Sequence, residues 1–416
     1  MKYLVAFVSL ALLGCAAIWA QNAGRNAGNK VGKGEQSAPT QQPTGAARTA
    51  AKTSAALDPT TSLAVQKGAK WLASVQGADG GWGQDGGDAS NVRQGVSLES
   101  KGNDVANTAI AALALLRAGN QYRSNVERAV DFILRKVEAS PADGLSVTDV
   151  NQTQVQRKLG PHIDTFVTAM LLAQVDGTFA RAANARVRSG LEKCVVKIER
   201  NQMKDGSWNV GGGWAPLLGT SLASRSLYAA GQKGVVVNQE VMMAADAYTV
   251  KNQKDRESMA GGGVGRGGGV GAGRGAGVGP GAGPGAGPGV GGVTESVVVV
   301  AGAAGVALYQ DAQALEQLSR TEESRKKNAR EIAAINGRLS DSKFVDGYGS
   351  IGGEEFFSYL NISDGLKRSG GKAWNDWHSK ITEKILKLQN EDGTWAGHHC
   401  ITGRVAVTSA AILNLM

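Results

Sequence analysis

Cysteine, histidine and aromatic residues are all scarce in this chain, with three Cys, four His and 5% Phe, Trp and Tyr among 416 residues. One of the cysteines, Cys15, lies in the first twenty residues, which leaves Cys194 and Cys400 in the body of the chain. Two cysteines in so long a domain make no disulfide framework, so packing must hold the core. The thin aromatic content leaves no stacking surface interleaved with basic residues. The formal net charge of +9 therefore reads as solubility and a solvated helix face, and nucleic acid is not expected as a partner. Much of that charge sits at Arg25, Lys30, Lys33, Arg48 and Lys52 and in the stretch from Arg320 to Arg338. Beyond the first twenty residues no apolar run is long enough to cross a bilayer.

Those first residues, MKYLVAFVSLALLGCAAIWA, read as a secretory signal: Lys2, an apolar run, then small Ala20 before Gln21. Leu12-Leu13-Gly14-Cys15 also has the form of a lipobox. Cleavage after Ala20, acylation of Cys15 with peripheral membrane contact, and an uncleaved anchor all place the domain outside the cytoplasm, periplasmic or extracellular. Residues 21–58 are poor in large apolar side chains and are expected to be a disordered linker. Residues 261–293 are a Gly/Ala/Pro run in which no helix survives. With its flank from 256 it is expected to be a loop inserted into the domain that spans 59–416, and it is read more as a neutral insertion than as a lid.

The remainder reads as helices of two alternating kinds. One kind is two-faced: Gly68, Trp71, Leu72 and Val75 share a stripe, as do Leu191, Cys194, Val195 and Ile198, and Ile381, Ile385 and Leu388. The other kind is apolar and small on nearly every face, as in VANTAIAALALLRAG, TFVTAMLLAQV, LASRSLYAAG and VAVTSAAILNL. A helix apolar all round is buried all round. Two-faced helices are expected near 61–76, 124–139, 180–202, 237–253, 313–336 and 374–390, and buried ones near 104–118, 162–175, 216–231, 294–310, 354–367 and 403–415. Six alternating pairs predict an all-α fold, a closed α6/α6 barrel, with the long loops gathered at one end. The amino-terminal ends of the inner helices share that rim and favour an anionic or carbonyl-bearing head, with an apolar or lipid-like tail in the barrel.

Three outer helices finish in one signature. It runs Gln76-x-x-Asp79-Gly80-Gly81-Trp82, then Gln202-x-x-Asp205-Gly206-Ser207-Trp208, then Gln389-x-x-Asp392-Gly393-Thr394-Trp395. Asp-Gly stops the helix, glycine taking the left-handed conformation there. The tryptophan can then fold back over apolar surface while the glutamine bonds free backbone groups. This signature resembles the QW repeat of the terpenoid cyclase and protein prenyltransferase superfamily, squalene-hopene cyclases among them. The stretches near 124–144 and 237–255 look like copies that lost the Trp. The resemblance implies an α/α toroid, in which these residues tie helices together.

The chemistry of that family is harder to find. Its class II cyclases protonate their substrate with an Asp-x-Asp-Asp acid, and no such run occurs here. Its prenyltransferases hold zinc with Asp, Cys and His at the cavity rim. The ligand types available on that rim are His162, Asp104 and the run His398-His399-Cys400, which would suit zinc, although their spacing is not that of a closed site. Cys194, on an apolar stripe, reads as core. The expectation is an exported toroid that binds a ligand or an envelope protein and is not a terpene cyclase. A zinc-dependent transferase or hydrolase at the long-loop rim is the alternative.

Overall fold

The computed structural model describes residues 57–85, 102–209, 216–261, 304–347, 352–398 and 400–416. Residues 1–56, with the signal and most of the linker, fall outside them, as do 262–303 and His399. Fifteen α-helices occupy the described residues. They are α1 (Pro59–Ser74), α2 (Val105–Ala118), α3 (Arg123–Ala139), α4 (Gln154–Leu159), α5 (Ile163–Val175), α6 (Arg181–Arg200), α7 (Pro216–Gln232) and α8 (Gln239–Gly261). After them come α9 (Ala304–Leu318), α10 (Glu322–Lys327), α11 (Ala329–Leu339), α12 (Ser342–Val345), α13 (Gly353–Ser369), α14 (Gly371–Lys387) and α15 (Arg404–Leu415). The extended structure among these residues is one isolated bridge between Trp82 and Asp104.

Burial sorts the helices as the side chains dictate. In α2 a run of small residues, including Ala106, Ala109, Ala111, Ala112 and Ala114, is wholly buried. Such side chains let helix axes approach closely on every side. In α3 only the face carrying Val126, Ala129, Val130, Ile133, Leu134 and Val137 is buried. Six inner helices touch in the order α2, α5, α7, α9, α13, α15, and α15 touches α2 again, so the inner ring is closed. Around it lie α1, α3, α6, α8, the broken segment α10 to α12, and α14. The fold is an all-α toroid.

The repeats are the joints of the outer ring. Each tryptophan is buried, at 0%, 2% and 0% exposure for Trp82, Trp208 and Trp395. Its indole Nε1 donates back to its own outer helix, to the carbonyls of Leu72, Ile198 and Ile385 at 2.9, 2.7 and 2.8 Å. Its backbone N–H donates to a threonine on the following inner helix: Thr108, Thr220 or Thr408 at 2.9, 3.2 and 3.0 Å. The glutamine crosses to the next outer helix, donating to Asn125 O, Val241 O and Ala64 O at 2.9, 2.8 and 2.9 Å. The third of these clamps is the seam, for it ties α14 to α1. Gly80 and Gly206 have φ of +93° and +89°, and a Cβ there would stand 2.5 and 2.3 Å from the carbonyl oxygens of Arg128 and Ala244 on the neighbouring outer helix. Only glycine fits that turn.

The copy after α3 that lost its tryptophan keeps the turn. Gly144 has φ +76°, Leu145 is buried, Ser146 stands at the tryptophan position, and Thr165 donates its hydroxyl to Leu145 O at 2.7 Å. The clamp has changed direction. Lys197, 1% exposed, reaches back from α6 to the carbonyls of Gly144 and Ser146 at 2.9 and 3.1 Å.

Two boundaries differ from expectation. The fourth inner helix runs from 304 to 318, so residues 313–318 are interior and not the start of an outer helix. Arginines compensate the buried carboxylates of this helix: Arg338 pairs with Asp311 at 2.6 Å, and Arg320, one turn on, and the distant Arg368 pair with Glu316 at 2.6 and 2.9 Å. Helix α8 also continues to Gly261, past residue 256 where the insertion was expected to begin. The stretch Glu257-Ser258-Met259-Ala260 is compatible with helix, and propagation carries it to the first glycines.

Candidate functional site

A cavity of about 310 Å³ lies inside the inner ring and takes lining residues from all six inner helices. Its floor is apolar and buried, with Leu159 at 2% and Ile163 at 1% exposure. Ile110, Val167, Leu222 and Leu413 continue the apolar wall. The exposed lining residues Arg117, Gln174, Gln232 and Lys233 lie in, or just after, the last turns of α2, α5 and α7. The mouth therefore faces the carboxyl-terminal ends of the inner helices. The site expected from the sequence lay at the opposite end, on the long-loop rim. There Gln84 donates to Gln154 Oε1 at 2.9 Å, Gln154 donates to Thr402 Oγ1 at 3.1 Å, and Arg404 N–H donates to Asp85 at 2.8 Å. Three connecting segments are thus laced together.

The polar part of the cavity is built on α7, α9 and α13. Arg225 donates to Asn361 Oδ1 at 2.6 Å and forms an ion pair with Asp364. Glu316 sits behind them, its side chain 0% exposed. Burial alone would raise its pKa, but Arg320, Arg225 and Arg368 hold the carboxyl down to about 2. Gln313 lines the cavity at 2% exposure, and its Oε1 has no hydrogen-bond partner among the described residues.

Two other carboxyls are buried near the amino-terminal ends of α2 and α5. Asp104 caps α2, accepting from Asn107 N–H and Nδ2 at 2.8 Å each. Asp164 reaches across from α5 and accepts from Ala106 N–H at 3.0 Å and Gln156 Nε2 at 2.6 Å. Burial, with the Asp164 charge added, pushes Asp104 up to about 7, and burial pushes Asp164 up to about 6. Both serve the otherwise unpaired N–H groups of a buried helix start, and neither lines the cavity.

The sequence profile of the squalene-hopene cyclase C-terminal domain matches residues 45–145, about a quarter of the chain, including the first repeat and α2. That match supports a likeness to the terpenoid cyclase and prenyltransferase-like superfamily. A search of the curated proteins returns no significant match.

The residues that the sequence offered for zinc are dispersed in this toroid. Among the described residues no group of three or more His, Cys, Asp or Glu is disposed to hold a metal. His162 Nδ1 is 3.1 Å from Ser146 Oγ, and burial lowers its pKa. Asp104 is occupied by its cap. His398 is exposed on a separate surface pocket with Asn390, Asp392 and Arg404, and His399 lies outside the described residues. Cys400 is half-buried, and burial together with neighbouring Glu354 pushes its thiol up to about 12. Ligation needs the thiolate, which that environment disfavours. Cys194 is core at 0% exposure, as read from its stripe. Sequence reasoning missed Arg117, Arg225, Gln313 and Asp364. The available signal was an arginine inside the small-residue run LASRSLYAAG, where an unpaired charge has no place.

Proposed function

We propose that this toroid is a binding protein, exported as its first twenty residues suggest, whose central cavity accepts an apolar ligand through the carboxyl-terminal mouth of the inner ring. The observation that carries this reading is the make-up of the cavity wall. It is mostly aliphatic, of a size at the lower end of small-molecule pockets, and Asp364, its lining carboxylate, is engaged in an ion pair with Arg225. Protonating an alkene requires an acid kept neutral and facing the substrate. The two carboxyls with raised pKa, Asp104 and Asp164, are turned to the start of α2. Cation-stabilising aromatic faces are also few, Tyr228 and Phe357 being those on the wall. These features favour holding a ligand over cyclising one.

The test is a titration of purified protein with a fluorescent apolar probe, together with mass spectrometry of organic extracts. The expected result is saturable binding that Val167→Trp, which fills the cavity, abolishes without lowering the melting temperature of the fold by more than a few degrees. A protein that retains nothing, and that binds no member of a panel of fatty acids, alcohols and isoprenoids, would overturn the proposal.

A further inference from the structure

Resting on that binding reading, we infer that the ligand carries a single carboxylate head, seated at the cavity mouth by Arg225 with Arg117 and Lys233 at the rim. The charges around the mouth are unbalanced. Among its lining residues Arg117, Arg225, Lys233 and Arg368 stand against one carboxylate, Asp364. Glu316 is shared by Arg320 and Arg368, and Asp364 is taken by Arg225. Lys233 donates to one backbone carbonyl, that of Asp176, at 3.3 Å. Arg117 is exposed and has no ion pair or hydrogen bond among the described residues.

A plain structural account covers part of this excess. The carbonyl ends of the inner helices carry about half a negative charge each, and cations in a last turn complement it. Arg117 and Arg368 are in the last turns of α2 and α13. Arg225 is not, because it lies about two turns inside α7 (Pro216–Gln232). Its guanidinium is on the cavity wall and already grips one carboxylate and one amide oxygen. A planar fork of this kind matches a carboxylate. Gln313, on the same cavity wall, has a side-chain Oε1 that is buried without a hydrogen-bond partner among the described residues.

The helix ends also select the charge of the head. Phosphate sites are made from helix starts, where N–H groups point at the anion. This mouth is lined instead by helix ends, whose carbonyls oppose a dianion more than a monoanion. The tail has an apolar path from the mouth to the floor. Gln174 and Ile163 both line the cavity and lie on α5, which gives roughly 16 Å of depth at 1.5 Å per residue.

The experiment is calorimetric titration of the full chain with dodecanoate, dodecanol and dodecyl phosphate. Dodecanoate is expected to bind at least about tenfold tighter than dodecanol, the worth of one charge-assisted hydrogen bond, and tighter than dodecyl phosphate. The double variant Arg225→Met/Asp364→Asn, which leaves no unpaired charge behind, is expected to erase the advantage of dodecanoate over dodecanol. Arg117→Gln, an exposed change that leaves folding intact, is expected to reduce dodecanoate affinity several-fold alone. Equal affinity for dodecanoate and dodecanol would overturn the head assignment while the cavity reading stands. Tighter binding of dodecyl phosphate would overturn the choice of carboxylate. Failure of all three to bind would remove the binding reading itself.

Discussion

Gly206 and Gly177 offer a controlled measurement of how tightly the repeats hold the outer ring. Their φ angles are nearly equal, +89° and +85°, but a Cβ on Gly206 would stand 2.3 Å from Ala244 O, whereas one on Gly177 would meet nothing within 4 Å. Replacing either by alanine therefore carries the same left-handed penalty, roughly 1–2 kcal/mol, and the same small restriction of the unfolded chain. The difference between the two variants is the steric contact with α8 alone. Ala244 O is backbone, so α8 or the turn has to shift, and overpacking of this kind typically adds about 1–3 kcal/mol. Gly177→Ala should then lose about 1–2 kcal/mol and Gly206→Ala about 2–5 kcal/mol. Urea unfolding followed by far-ultraviolet circular dichroism reads both, provided the slope is unchanged between variants. Equal midpoints for the two would refute the argument, because they would mean the turn does not bear on α8.

Other perturbations have equally definite outcomes. Glu316 is held down to about 2 against an ordinary 4.5, so the stability it contributes, on the order of 3 kcal/mol, is present above pH 4.5 and is lost as the pH falls towards 2. Glu316→Gln should flatten that acid limb. Asp104 and Asp164 act in the opposite sense. Their folded values lie above 3.8, at about 7 and about 6, so stability falls as the pH rises through that window. The folded state should be most stable near pH 4 to 5, with Asp104→Asn removing part of the decline above it. A profile that climbs steadily from pH 5 to 8 would contradict this. Gln389→Leu breaks the seam between α14 and α1 and should speed amide exchange in α1 while leaving α6 and α8 protected. Metal analysis of carefully prepared protein should find zinc well below stoichiometric amounts. Stoichiometric zinc that disappears in His399→Ala would restore a rim site.

The ring was legible in the sequence because its two helix kinds obey different burial rules, and because Gln-x-x-Asp-Gly-x-Trp writes each joint in one contiguous stretch. Trp82, Trp208 and Trp395 bond the carbonyl ten residues before them, a partner fixed by local geometry. What was not legible depends on partners far along the chain. Glu316 fell in an expected outer helix, and it is interior because Arg368 reaches it from another element. The cavity mouth was hidden for a related reason. Loop length says where chain accumulates, but the lacing of Gln84, Gln154 and Thr402 is a tertiary fact, and it closes together the segments that had looked most open. Ser146 shows the same limit from the other side: the turn survives without its tryptophan once Lys197 arrives from the next helix.

The seam at α14 and α1 is made by the same clamp as the joint between α6 and α8, so nothing in its bonding sets it apart from the other joints of the ring. The architecture is cyclic in its bonding even though the covalent chain is linear. A rearranged gene that links Leu415 to Pro59 through a short spacer, and begins instead at Ala304, should rebuild the toroid with the same neighbours around every helix.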